Sequence, residues 1–122
     1  MNILVVDDAR DIRLILSVAL KSAGYRVTCA VNGQEALALL RASAERPCAI
    51  LLDLMMPEMN GWEFLAWHQA DETLRAIPVI IISAVPPTLD AALGAGARAV
   101  LKKPIDLAAL RALLAQYCAV NR

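Results

Sequence analysis

The chain has little aromatic character: two Trp, two Tyr and one Phe among 122 residues. It has one histidine and no excess of charge of either sign, with twelve acids set against twelve Lys and Arg. The shortage of aromatics makes the expected core aliphatic and alanine-rich. The missing basic surplus argues against nucleic acid as a partner, because binding a phosphate backbone requires one. The three cysteines, Cys29, Cys48 and Cys118, are far apart and set in apolar sequence. They are expected as core thiols of a reducing compartment rather than metal ligands or disulfide partners. The longest apolar run, residues 78–87, falls far short of a membrane span. The start, Met1-Asn2-Ile3-Leu4-Val5-Val6, has no basic region and meets two acids before a signal-peptide core could form. These absences point to a cytoplasmic protein without a membrane partner, one domain over residues 1–122 that is long enough to bury a core without staples.

What is present is alternation. Residues 2–6 are an apolar, β-branched strand. Residues 8–23 follow as a helix, with Ile12, Ile15, Leu16, Ala19 and Leu20 at helical spacing and Gly24 as its stop. Residues 25–30 form a second strand, and the Asn32-Gly33 turn opens a helix over residues 34–43 with Ala36, Leu37, Leu39 and Leu40 inward. Residues 48–53 are strand 3. Asn60, with Glu63 three residues on, caps a helix that runs to residue 70. Strand 4 covers residues 78–83, a short helix 4 residues 88–95, and strand 5 residues 99–102. Asp106 caps helix 5, with Leu110, Leu113, Leu114 and Tyr117 as its stripe. Five strand–helix pairs imply a flavodoxin-like, doubly wound α/β fold: a five-stranded parallel sheet of order 2-1-3-4-5 with helices on both faces.

The stretch from Ala49 to Pro57 organises the rest. Four apolar residues read as a strand buried on both faces, and they end on one carboxylate, Asp53. Burying that charge unpaired costs several kcal/mol, so Asp53 is expected at the exposed carboxyl end of its strand, where open parallel sheets bind ligands. Asp7 and Asp8 end strand 1, the neighbour of strand 3 in this order. Three converging carboxylates repel one another and favour a hard divalent cation; magnesium suits, since it accepts one or two carboxylates together with water and phosphate oxygens. Ser83 ends strand 4 and Lys103 follows strand 5. Carboxylates, hydroxyl and ammonium together are equipment for phosphoryl transfer. Each residue also has a plainer use: Asp7 and Asp8 as caps of helix 1, with Asp8 serving both tasks; Ser83 as a satisfied strand-end hydroxyl; Lys102 as a solvated neighbour. His68, on helix 3, is expected at the surface.

The set Asp7-Asp8, Asp53 with Met56-Pro57-Glu58-Met59-Asn60-Gly61, Ser83-Ala84 and Lys103-Pro104 resembles the receiver domain of two-component response regulators. The resemblance covers nearly the whole chain. It implies that Asp53 accepts a phosphoryl group from a histidine kinase or phosphotransfer protein. It implies further that Asp7, Asp8, Asp53 and the carbonyl of Met55 hold Mg2+, that Ser83 and Lys103 contact the phosphoryl group, and that the bond before Pro104 is cis. The expected role is that of a signalling phosphoacceptor, not an enzyme, whose output passes to a downstream protein.

Three features depart from the family pattern. Val100 stands where receivers usually carry Tyr or Phe, so an aromatic switch is absent or altered. The stretch from Ser83 to Gly96 is short and begins Val85-Pro86-Pro87, which stiffens the loop and shortens or displaces helix 4. Met55 and Val85, each two residues past an active-site residue, are apolar and bulky, and are expected to crowd an attacking water and slow self-dephosphorylation. The alternative is a receiver-like interaction module that works without phosphorylation, with Leu89 and Leu93 in a partner or homodimer surface on the helix 4–strand 5–helix 5 face. A flavin protein is disfavoured, because Asp7-Asp8-Ala9-Arg10-Asp11 replaces the Ser/Thr/Gly-rich phosphate loop that a flavodoxin needs.

Overall fold

A computed structural model describes residues 1–118. The elements alternate as β1 (Asn2–Val6), α1 (Arg10–Ser22), β2 (Arg26–Ala30), α2 (Gly33–Ala42), β3 (Ala49–Leu52), α3 (Gly61–Ala70), β4 (Val79–Ser83), α4 (Leu89–Gly94), β5 (Ala99–Lys102) and α5 (Leu107–Tyr117). All strand pairs are parallel, and the sheet order is β2-β1-β3-β4-β5. The expected fold class is therefore the observed one.

Strand parity divides the core into two layers, since successive side chains leave a strand on opposite faces. Leu4, Val6, Ile50, Leu52, Val79 and Ile81 pack with Leu37 and Leu40 of α2, Phe64 and Leu65 of α3 and Ala92 of α4. Ile3, Val5, Ala49, Leu51, Ile80 and Ile82 pack on the other face with Leu16 and Leu20 of α1 and Leu110 and Leu114 of α5. β3 and β4 are buried along their whole length, which is why they are apolar on both faces.

The local signals act as the sequence indicates. α1 stops in a Schellman turn: Gly24, at φ 99°, donates its N–H to Lys21, while Tyr25 donates to Leu20. Asn60 and Glu63 close a reciprocal capping box on α3. Asn32, Thr88 and Asp106 cap α2, α4 and α5. α4 has only six residues.

Three expectations need correction. His68 is fully buried, not at the surface; its Nε2 lies 2.9 Å from the Ile77 carbonyl and its Nδ1 2.9 Å from the Gln69 amide. A ring with both nitrogens partnered can enter a core. Burial outweighs the Ile77 hydrogen bond and holds its pKa below the ordinary value. Ile15 points outward at 52% exposure, because α1 carries more apolar residues than its buried stripe needs, and Leu14 and Val18 are exposed beside it. Finally, Cys48 and Cys118 are joined as a disulfide, and only Cys29 is a free thiol. The pairing depends on contacts 70 residues apart, which spacing along the chain does not reveal.

Candidate functional site

Asp7 and Asp53 emerge at the carboxyl ends of the adjacent strands β1 and β3, held in register by the pairing of Val6 with Leu52. Because a parallel sheet aligns all its carboxyl ends on one edge, Ser83 at the end of β4 and Lys103 just after β5 arrive there too. Asp7, Asp53 and Ser83 are buried, Lys103 is half-buried and Asp8 is exposed. One carboxylate oxygen from each of Asp7, Asp8 and Asp53 falls within 4.8 Å of the others.

The Lys103 ammonium sits between two of these acids, 2.9 Å from Asp7 Oδ2 and 3.7 Å from Asp53 Oδ1. Burial opposes its charge, but the hydrogen bond and charge of Asp7, with Asp53 and Asp8 behind it, carry its pKa above the ordinary lysine value. The Asp53 pKa is raised too, which for a carboxylate disfavours the charged form. Burial, then the charge of Asp7, raise its pKa, against the pull of Lys103 and the Met55 N–H. One cation thus leaves the three acids incompletely compensated, and a hard oxygen donor set of this size fits a small divalent ion.

The surrounding backbone fixes these groups. Asp7 Oδ1 accepts the Ala9 N–H at 2.9 Å, and the Met55 N–H reaches Asp53 Oδ1 at 3.3 Å. The cap of α1 is Ala9, with no side-chain cap bond, so Asp8 does not serve as a cap; Asp7 makes the local turn instead. Ser83 Oγ donates to the Val85 carbonyl at 3.1 Å and accepts the Val85 N–H at 3.3 Å. The Lys103–Pro104 peptide bond is cis. Lys102 is exposed, as expected of a solvated neighbour.

Two supporting parts carry no strong signal in the sequence. Arg13 donates from Nη1 to the Asp7 carbonyl at 2.9 Å, clamping the strand end that presents the two acids. The loop after Asp53 is braced by α2: the Gly33 N–H donates to the Met59 carbonyl at 3.2 Å, and Asn32 Nδ2 to Glu58 Oε2 at 3.4 Å. Glu58 takes φ 65°, a conformation uncommon outside glycine. The Asn32-Gly33 pair reads as a turn from sequence; its contact with this loop is tertiary.

Met55 and Val85 stand on the rim at 76% and 82% exposure. Val100 is half-buried against the core layer that includes α4.

The family model of the response regulator receiver domain matches residues 3–115, and the chain belongs to that family. The sensory/regulatory protein RpfC of Xanthomonas campestris pv. campestris is 39% identical over 127 residues; the match takes in all of this chain, which spans 17% of that relative's length. Chemotaxis protein CheY4 of Vibrio cholerae has the same fold, with a TM-score of 0.84 at 29% identity over 95% of this chain and 97% of that one. Response regulator TrrA of Thermotoga maritima, solved in complex with Mg(2+)-BeF, gives a TM-score of 0.83 at 25% identity, covering 95% and 97% of the two chains. Receiver domains are signalling modules that bind Mg2+ in an acidic pocket and interact with histidine kinases or phosphotransfer proteins and with downstream effectors. No helix among the described residues is long and apolar enough to cross a membrane.

Proposed function

We propose that the chain is a phosphoacceptor of a two-component phosphorelay and that Asp53 is the residue modified. The observation that carries this reading is the gathering of Asp7, Asp8 and Asp53 within 4.8 Å, with the Lys103 ammonium between two of them. Both orienting contacts on Asp53 fall on Oδ1, so Oδ2 is the oxygen assigned to attack. Oδ2 bonds to phosphorus as the N–P bond of a partner's phosphohistidine breaks, and the electron pair leaves on the imidazole. Lys103 neutralises one phosphoryl oxygen, and Ser83 turns its hydroxyl from the Val85 carbonyl to another. Asp7, Asp8, Asp53 and the Met55 carbonyl would hold Mg2+, which supplies neutralisation of the carboxylates and of the incoming phosphoryl oxygens. In this reading residues 1–122 act as one receiver domain. The signal leaves through the α4–β5–α5 face by repacking, since Val100 supplies no aromatic ring. Phosphoryl loss is slow in this reading because Met55 and Val85 set apolar side chains on the rim that an attacking water must pass, with no polar side chain at either position to orient it.

The alternative, an interaction module that needs no phosphoryl group, draws on Leu89 and Leu93, exposed at 54% and 49% on α4. One experiment separates the two. Purified protein is incubated with Mg2+ and a small acyl phosphate, and its intact mass is compared with that of Asp53→Asn. Gain of one phosphoryl group by the parent alone supports the phosphoacceptor. No gain, with Mg2+ still quenching Trp62 fluorescence, favours the interaction module.

A further inference from the structure

We propose that Cys48 and Cys118 form a reversible thiol–disulfide latch, a modification site for low-molecular-weight thiol and disulfide couples, which sets how firmly the end of α5 is held to the sheet. The two residues are 70 apart in sequence, and the fold brings their Cα atoms to 5.4 Å. That separation lies within the span a disulfide bridges without backbone movement. The latch lies away from the acidic edge: Cys48 precedes β3, whose far end presents Asp53, and Cys118 follows α5. It therefore stands independently of the phosphoacceptor reading.

Cys118 is fully buried and belongs to the core layer of Leu16, Leu20, Leu110 and Leu114. It is also tied by backbone. The Tyr25 hydroxyl donates to its carbonyl at 3.0 Å, and its N–H donates to the Leu114 carbonyl at 2.6 Å. Cys48 is half-buried where Cys118 is fully buried, so Cys48 is assigned as the residue an external thiolate attacks. Attack there breaks the Cys48–Cys118 bond, and Cys118 leaves as a thiolate that takes a proton. A second external thiol resolves the mixed disulfide at Cys48. Two cysteine thiols are formed as two molecules of the thiol are oxidised to their disulfide; the reverse exchange closes the latch. Cys29 lies on β2 with its Sγ 3.4 Å from Ser17 Oγ and takes no part.

Closing a 70-residue loop restricts the unfolded chain and fixes the last turn of α5. With the latch open, that turn keeps its Leu114 backbone bond, the Tyr25 hydrogen bond and apolar packing but loses its covalent tie to the sheet, and opens more often. α5 is one wall of the α4–β5–α5 face, so the thiol couple sets the stiffness of that wall.

The test counts thiols. Protein equilibrated with oxidised glutathione is denatured and alkylated without reductant; one adduct, at Cys29, is expected, and three after reduction. Peptide mapping should recover Cys48 joined to Cys118. Dithiothreitol should lower the Tm of the parent by about 10 °C and speed amide exchange at Gln116, Tyr117 and Cys118. The Tm of Cys48→Ala should not respond to reductant, and that of Cys29→Ala should respond as the parent does. Three adducts without reductant, or a disulfide to Cys29, would overturn the proposal. So would a Cys48–Cys118 bond whose reduction changes neither Tm nor α5 exchange.

Discussion

Asp53 combines two demands that conflict. Burial and the neighbouring charge of Asp7 disfavour its ionised form, yet the attack on phosphorus proposed for it needs a carboxylate. Its folded-state pKa is raised, so the folded chain holds that proton more tightly than the unfolded chain does. The resulting stabilisation is fully present below the unfolded value, near 3.8, and is lost as pH rises through the raised folded value. At neutral pH the ionised Asp53 is a net cost. Asp53→Asn should therefore raise the Tm at pH 7 by roughly 4 °C, about 1 kcal/mol, with the gain shrinking as pH falls toward 3.8. A lower Tm at pH 7 would mean that the ion pair with Lys103 outweighs burial. The same arrangement assigns a different role to Met55, whose N–H fixes Asp53 Oδ1 while its side chain stands in solvent at the rim. An amide there would orient water instead of excluding it. Met55→Asn should speed phosphoryl loss by about tenfold, or 1.4 kcal/mol in the barrier; decay unchanged from the parent would remove Met55 from the control of lifetime.

The elements that present the site depend on close backbone approach. A Cβ on Gly61 would lie 2.7 Å from the Asp53 carbonyl oxygen and 2.7 Å from Leu54 Cα, backbone atoms that cannot rotate away. Gly61→Ala should cost about 1–3 kcal/mol and slow phosphorylation, because the relief moves Asp53 itself. Gly94, in α4, has nothing within 4 Å of such an atom, so Gly94→Ala should leave phosphorylation unchanged and stabilise by about 0.5–1 kcal/mol. Thermal melts beside acyl-phosphate labelling of both variants check the pair; equal effects would show that neither position is special. Elements of this kind were legible wherever the determinant is local. The strand-end acids and the Asn60–Glu63 cap follow from residue type and position along an element; Ser83 stands out only beside those acids, and Lys103 is set apart from Lys102 only by the lysine-before-proline pattern of the receiver family. His68 was not legible, because α3 is apolar nearly all round: Trp62 and Trp67 are exposed while Phe64, Leu65 and His68 are buried, and periodicity cannot choose a face. The brace from Gly33 to Met59 and the Cys48–Cys118 bond were hidden for another reason, since each joins elements that meet only in three dimensions.

At the scale of the molecule, the proposed function requires that a group bound at one sheet edge reach a face it does not touch. A ligand can shift an equilibrium only by its differential affinity for two states. The two site residues nearest that face are Ser83, whose hydroxyl is committed to Val85, and Lys103, whose ammonium is committed to Asp7. Redirecting either one to a phosphoryl oxygen breaks an existing contact. Release of Val85 would free the start of the Pro86-Pro87 segment that leads to the Thr88 cap of α4. Movement of Lys103 would pull on β5, where Val100 rests against the same core layer as Ala92 and Ala97. That path requires no aromatic rotamer; it requires Val100 to repack as α4 shifts. Amide NMR on adding Mg2+ with beryllium fluoride should therefore show shifts at Asp7, Asp53 and Lys103, and also at Val85, residues 89–94 and Val100, with β2 and the start of β3 silent. In Ser83→Ala the α4 shifts should shrink while those of the acids persist. Shifts confined to the acids in the parent would sever the site from the face and leave Leu89 and Leu93 as a surface that binds its partner in either state.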